Sequence, residues 1–228
     1  SIIAILAAML LPALNKARDK SRTTKCLGNL KQLGVTAFLY VEDYDTERVL
    51  YDPVALGSIY WPELLTKRLK YLPVAPVQST SGSPLSGPLK CDSQTKIDFT
   101  SYSTGFRNSH YGINYFLTYY VSSAPAANST KWHPKSKISE PARTMYFADA
   151  RPGGEAMVYL GNVGPRDAYL PTYFRHGQGS SMNSVFLDGH AENGNRFRVP
   201  NELTHGLDKI GEYYFWKNAA RATWRDTQ

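Results

Sequence analysis

The sequence predicts an α+β protein in which a long N-terminal α-helix, residues 1–45, packs on an antiparallel β-sheet head, residues 46–228. Three features lead to that reading. Ser1 to Leu14 (SIIAILAAMLLPAL) is almost wholly apolar and passes directly into a basic stretch, Asn15 to Lys25 (NKARDKSRTTK). Leu27, Leu30, Leu33, Gly34, Ala37, Phe38 and Val41 then recur at three- and four-residue spacings, the stripe of an amphipathic helix. Short β-branched and aromatic segments, divided by Gly, Pro, Ser and Asn clusters, follow in the remainder and read as strands and turns.

The first segment sets the terms for everything else. A helix that is apolar on every side has no polar face to give to water, so a bilayer, its own domain or copies of itself must enclose it. A secretory signal peptide carries its positive charge before the apolar run, whereas here the charge follows. A complete transmembrane helix takes about 20 apolar residues, more than this run supplies. A core helix of a soluble domain would not run without a break into a long polar one. The remaining reading is a protruding helix that sits in a membrane first and in a protein assembly later. Pro12 removes one backbone hydrogen bond and is expected to kink or loosen the helix locally. Asp43 and Asp45, flanking Tyr44, mark its end, giving a rod of roughly 65 Å at about 1.5 Å per residue. The expected shape is a greasy stick carrying a folded head.

In the head, Trp61 to Tyr71 (WPELLTKRLKY) reads as a short helix with Pro62 in its first turn. Pro73 to Pro88 is a Pro/Ser/Gly loop, and Val121 to Lys137 is a second loop. The latter holds the sequon Asn128-Ser129-Thr130, which makes Asn128 a glycosylation candidate, although such triplets also arise by chance. Tyr111 to Val121 and Thr144 to Ala148 are strand-like. Ser184 to Leu187 and His190 to Ala191 form the arms of a hairpin around Asp188-Gly189, a dipeptide suited to positive φ at both turn positions. Leu207 to Trp224 is aromatic and suits a last helix or strand. No internal repeat or second domain is visible.

With 228 residues and 42% hydrophobic content, the chain can bury one good core. Its 16 Tyr offer flat apolar faces with polar tips, suited to interfaces. The net charge of +7 is concentrated in Lys16, Arg18, Lys20, Arg22 and Lys25, opposed there only by Asp19. Such a cluster suits lipid headgroups or acidic groups on neighbours, and equally a solvated helix face.

The segment SIIAILAAMLLPALNKARDKSRTTKCLGNLKQLG resembles the N-terminal region of type IV pilin-like proteins, the prepilin-type cleavage/methylation or pseudopilin class, in a bacterial branch with large heads. The apolar run, its Pro, the Asn-Lys-Ala-Arg exit and the stretch Cys26, Asn29, Leu30, Lys31, Gln32 carry the likeness. Trp61-Pro62-Glu63-Leu64-Leu65, Cys91, Tyr111-Gly112-Ile113-Asn114, Ser139-Glu140-Pro141 with Phe147-Ala148-Asp149, and Arg175-His176 followed by Phe186-Leu187-Asp188-Gly189-His190 extend it over most of the chain. Two departures stand out. The family's cleavage site and the acidic residue after it would lie before Ser1, so the chain is expected to be trimmed there. The His176 to Asp188 spacing is longer than the family's, which places a small insertion in Gly177 to Asn183.

The resemblance implies export, and in an exported chain Cys26 and Cys91 suggest a disulfide. It would tie the helix to the head, for roughly 4 kcal/mol in the chain-entropy model; the alternative is a pair of unrelated buried thiols. No Cys or His spacing points to zinc or haem. His176, Asp188, His190 and His205 are the residues that tempt a catalytic reading, but Asp188-Gly189 is already explained as a turn. No nucleophile elbow, phosphate loop or His-Glu-x-x-His helix is present, so enzyme activity is not expected. Related pseudopilin heads can carry calcium in an acidic loop, which makes Asp149, Asp188 and Glu192 candidate ligands for a structural calcium ion. No other cofactor is expected.

The expected function is structural: a subunit that polymerises into an extracellular pilus-like filament after residence in the inner membrane, handled by pilus or secretion machinery. Ile2, Ile3, Ile5, Leu6, Met9, Leu10, Leu11 and Leu14 would form the filament core, with Pro12 setting the local helix shape. Two alternatives are a pseudopilin of a type II secretion system and a surface-anchored module binding acidic polysaccharide or nucleic acid. Nucleic acid is the less expected partner.

Overall fold

A computed structural model of the chain describes residues 2–43, 50–51, 61–68, 70–72, 87–94, 109–114, 119–120, 140–150, 157–158 and 173–195. Ser1, Asn128, His205, the Leu207 to Trp224 segment and most of both predicted loops lie outside them. The fold is α+β, a long N-terminal helix with a mostly antiparallel sheet.

Helix α1 spans Ile2–Asp43 without interruption, passing through Pro12. At about 1.5 Å per residue it is roughly 63 Å long. Its two halves live in different surroundings. Every residue from Ile2 to Arg18 is exposed, and the first buried side chain is Cys26. From there Leu30, Leu33, Gly34, Ala37 and Val41 of the predicted stripe are buried, together with Thr36 and Tyr40 outside it. Two of its expected members, Leu27 and Phe38, are only partly buried.

The head is built on a five-stranded sheet in the order β5-β2-β4-β6-β7. The strands are β2 (Tyr111–Asn114), β4 (Met145–Asp149), β5 (Met157–Val158), β6 (Ser181–Phe186) and β7 (Ala191–Asn195). The ladders β2–β4, β4–β6 and β6–β7 are antiparallel, while edge strand β5 pairs parallel with β2. A separate parallel pair joins β1 (Leu50–Tyr51) to β3 (Tyr119–Tyr120). A helical turn at α2 (Trp61–Glu63) continues into a wider π-type turn over Leu64–Arg68.

Alternation along the strands turns Ile113, Phe147 and Val185 toward α1, and these pack with Leu30, Leu33, Trp61 and Leu65 in one core. Trp61 meets Phe147 edge-on, with ring centroids 5.2 Å apart. The close approach of helix and sheet depends on Gly34, because a Cβ there would stand 2.7 Å from Val185 Cγ1. Valine is stiff at χ1 and cannot swing clear. Gly34→Ala is therefore expected to destabilise by about 1–3 kcal/mol, against the gain of up to about 1 kcal/mol in helix propensity. Adding Val185→Ala should recover part of that loss in urea unfolding.

The β6–β7 hairpin differs from expectation in its turn. Glycine 189 has φ +89°, but Asp188 is not in the left-handed region. Phe186 donates to the His190 carbonyl at 2.9 Å and Gly189 to the Phe186 carbonyl at 3.0 Å. The result is a three-residue loop, Leu187 to Gly189, with glycine at its left-handed position, in place of a two-residue Asp-Gly turn. The expected insertion loop is also shorter. Ser181, Met182 and Asn183 belong to β6, and only residues 177–180 turn, with positive φ at Gly177, Gln178 and Gly179.

Candidate functional site

Where the amphipathic half of α1 first touches the head, the core turns polar. Cys26 arrives from α1, Cys91 from the segment after a 3-10 turn (Gly87–Leu89), Asp149 from the end of β4, and Asn183 from β6. Arg175 and His176 come from the chain entering the 177–180 turn, whose backbone folds onto the His176 carbonyl through the N–H groups of Gly179, Ser180 and Ser181. Cys26, Cys91, Asp149, His176 and Asn183 are all 0% exposed.

The two cysteines predicted to meet do meet. Both are free thiols, and their sulfurs lie 2.7 Å apart. The hydrogen bond with Cys91 holds the Cys26 thiol down at about 6, against the opposing effect of its burial. Burial pushes the Cys91 thiol far up. His176 Nε2 lies 3.6 Å from Cys91 Sγ, a neighbour that sequence reasoning did not assign to the cysteines. Their separation of 85 residues leaves no local spacing to read.

The Asn183 amide identifies which ring nitrogen carries the proton. Its Nδ2 is 3.1 Å from the Thr23 carbonyl, which can only accept, and its Oδ1 accepts from Asn193 Nδ2 at 2.8 Å. The second amide hydrogen then points at His176 Nε2, 3.1 Å away, so Nε2 offers a lone pair and the proton sits on Nδ1. Asp149 Oδ2 is 3.2 Å from the same Nε2 and accepts from the Asn183 backbone N–H at 2.7 Å.

Asp149 also faces Arg175, with 3.3 Å between Oδ1 and a guanidinium nitrogen, and both side chains are almost fully enclosed. The guanidinium donates to the carbonyls of His110 at 2.6 Å and Ala150 at 2.9 Å, and to Gln94 Oε1 at 2.9 Å. It thereby ties β2, β4 and the Cys91 segment together. Next to it, His110 Nδ1 accepts from the Cys91 backbone N–H at 2.9 Å. Burial, reinforced by the Arg175 charge, pushes His110 down to about 4.

This shift has a definite pH signature. The unfolded chain takes up a proton at this histidine near pH 6.5, the folded one only near 4. Stability from this group is complete above about 6.5 and is lost as pH falls toward about 4, up to about 3 kcal/mol. His110→Asn, which keeps an acceptor near the Nδ1 position, should flatten the acid limb of a stability-versus-pH curve between those values.

The three carboxylates expected to share calcium are not brought together. Asp149 is engaged in the buried cluster at one end of β4. Asp188 lies in the turn beyond the other end of the neighbouring strand, about 13 Å away at strand spacing, with its carboxylate 2.5 Å from His190 Nδ1. Glu192 is exposed on β7. Among the described residues, the group of His, Cys, Asp or Glu able to converge on one ion is Cys26, Cys91 and His176.

The expected filament-core residues cluster differently, as one continuous surface. Ile2, Ile3, Ile5, Leu6, Met9, Leu10, Leu11 and Leu14 are all 57–79% exposed, on every side of the free half of α1. No described helix is long and apolar enough to cross a membrane. Long helix and small antiparallel sheet together are compatible with a pilin-like fold. Comparison with models of known families, with curated proteins and with solved structures returns no match to this chain.

Proposed function

We propose that the chain is a structural subunit of the type IV pilin-like class, which polymerises through the free half of α1 into an extracellular filament. One observation carries the reading: eight large apolar side chains surround a helix that projects clear of its own head. A monomer does not keep that surface in water. Burying each such side chain is worth about 1.5–3 kcal/mol, so enclosing the set offers on the order of 10 kcal/mol gross per subunit. Association costs offset part of this.

Identical helices stacked side by side with an axial offset meet through different surfaces of each copy, and such heterologous contacts extend without closing. Before assembly the same stretch occupies the inner membrane. The exposed basic belt of Lys16, Arg18 and Lys20 then lies next to lipid headgroups. Pilus or secretion machinery performs the transfer, and the role is architectural, not enzymatic.

Electron microscopy of the full chain, sheared from cells that express it, tests the proposal. Uniform filaments with a helical core are the expected result. Monomers or membrane-bound particles alone would overturn it. Short filaments confined to the envelope would reassign the subunit to a secretion pseudopilus.

A further inference from the structure

We infer that Cys26, Cys91 and His176 form a buried site for a zinc-like divalent cation, which fastens α1 to the head. Three side chains from three separate parts of the chain place their ligand atoms within 4.8 Å of one another, all fully enclosed. Two sulfurs and an imidazole nitrogen suit a borderline-soft ion in tetrahedral coordination.

The geometry is close to what such an ion needs. With Zn–S near 2.3 Å and Zn–N near 2.0–2.1 Å, a ligand sulfur and nitrogen on one tetrahedral ion stand about 3.6 Å apart. Cys91 Sγ and His176 Nε2 are 3.6 Å apart. The two sulfurs, now at 2.7 Å, open by about 1 Å to the roughly 3.8 Å that two thiolates on one ion adopt. His176 presents Nε2 as a lone pair to the Asn183 amide, and a bound ion would take that lone pair in place of the amide hydrogen.

Charge points the same way. Arg175 is already paired with Asp149, 3.3 Å away. A divalent ion with two thiolates is neutral, and its binding releases whatever protons the two sulfurs still carry. His176 Nε2 also lies 3.2 Å from Asp149 Oδ2, so the site has a carboxylate at its border. A Cys26–Cys91 disulfide would consume both sulfurs.

The test uses the full chain in detergent, stripped with chelator under reducing conditions and titrated with Co²⁺ and then Zn²⁺. One equivalent of Co²⁺ should bind, with thiolate-to-metal charge-transfer and tetrahedral d–d absorption that Zn²⁺ abolishes. Zinc should also shield both thiols from alkylation. His176→Gln, retaining both cysteines, should weaken binding at least about 100-fold while the head stays folded by circular dichroism. Two results would overturn the assignment without any variant. One is a reduced, folded chain that takes up no cobalt. The other is a chain isolated without reductant that carries an intact Cys26–Cys91 disulfide and no metal.

Discussion

Filaments are expected to disappear when Leu6 or Leu10 is replaced by Asp, while the head remains folded. Both leucines are more than half exposed, at 57% and 67%, and lie well before Cys26, the first residue of α1 to be buried in the head. Their loss therefore removes nothing from the core. In a bundle of identical helices, however, each copy would place an unpaired carboxylate among apolar side chains, at a cost of several kcal/mol per subunit. In the proposed membrane stage, Asp at the centre of an inserted helix would cost about a further 2.5–3.5 kcal/mol. The check is negative-stain microscopy beside a circular-dichroism melt of the same preparation. Normal filaments from either variant would remove the apolar helix from the assembly mechanism.

Arg175→Met is expected to have the largest effect on the head itself, destabilising it by about 3–5 kcal/mol. The substitution keeps the length and apolar stem of the side chain but deletes the charge facing Asp149. It also removes the guanidinium's hydrogen bonds to the Ala150 carbonyl, to Gln94 Oε1 and to the His110 carbonyl, the last of which keeps the Ala150 N–H as a donor. Asp149 would retain the Asn183 N–H while losing its cation, inside a site with no access to water. Against a typical domain stability of about 5–15 kcal/mol, such a loss leaves the head marginal. The double variant Arg175→Met with Asp149→Asn should cost less than the sum of the two single changes, because the uncompensated charge is then gone. Urea midpoints for the four proteins measure this coupling, and strict additivity would show that the ion pair is not what holds the site.

Local pattern accounts for the parts of the fold that were legible in advance. Leu30, Leu33, Gly34, Ala37 and Val41 are buried as the spacing predicts, while Leu27 and Phe38 are only partly so. Trp61 begins a helical turn, Tyr111 and Met145 begin strands, and the hairpin surrounds Asp188 and Gly189. Each depends on periodicity or turn chemistry within a few residues. The misread details involve choices between near-equal local options. Asp188-Gly189 suits both a two-residue turn and a three-residue loop, and backbone pairing of Phe186 with His190 selects the longer. Ser181 to Asn183 carry no strand signal of their own. They become strand because β7 pairs with them from Asn195 to Asn193.

The sequence by itself determined the two-part design: an unbroken helix with an all-round apolar half, then a stripe, then a sheet-forming head. It could do so because helix and strand periods are written in neighbouring residues. Only the tertiary structure decided the chemistry at the junction. Asp149 reads as a candidate calcium ligand, yet the sheet encloses it against Arg175. His176 reads as one of several scattered histidines, yet it meets two cysteines from distant segments. Such a site exists only once α1 docks on the sheet, since ligands contributed by separate elements leave no spacing in the chain to announce them.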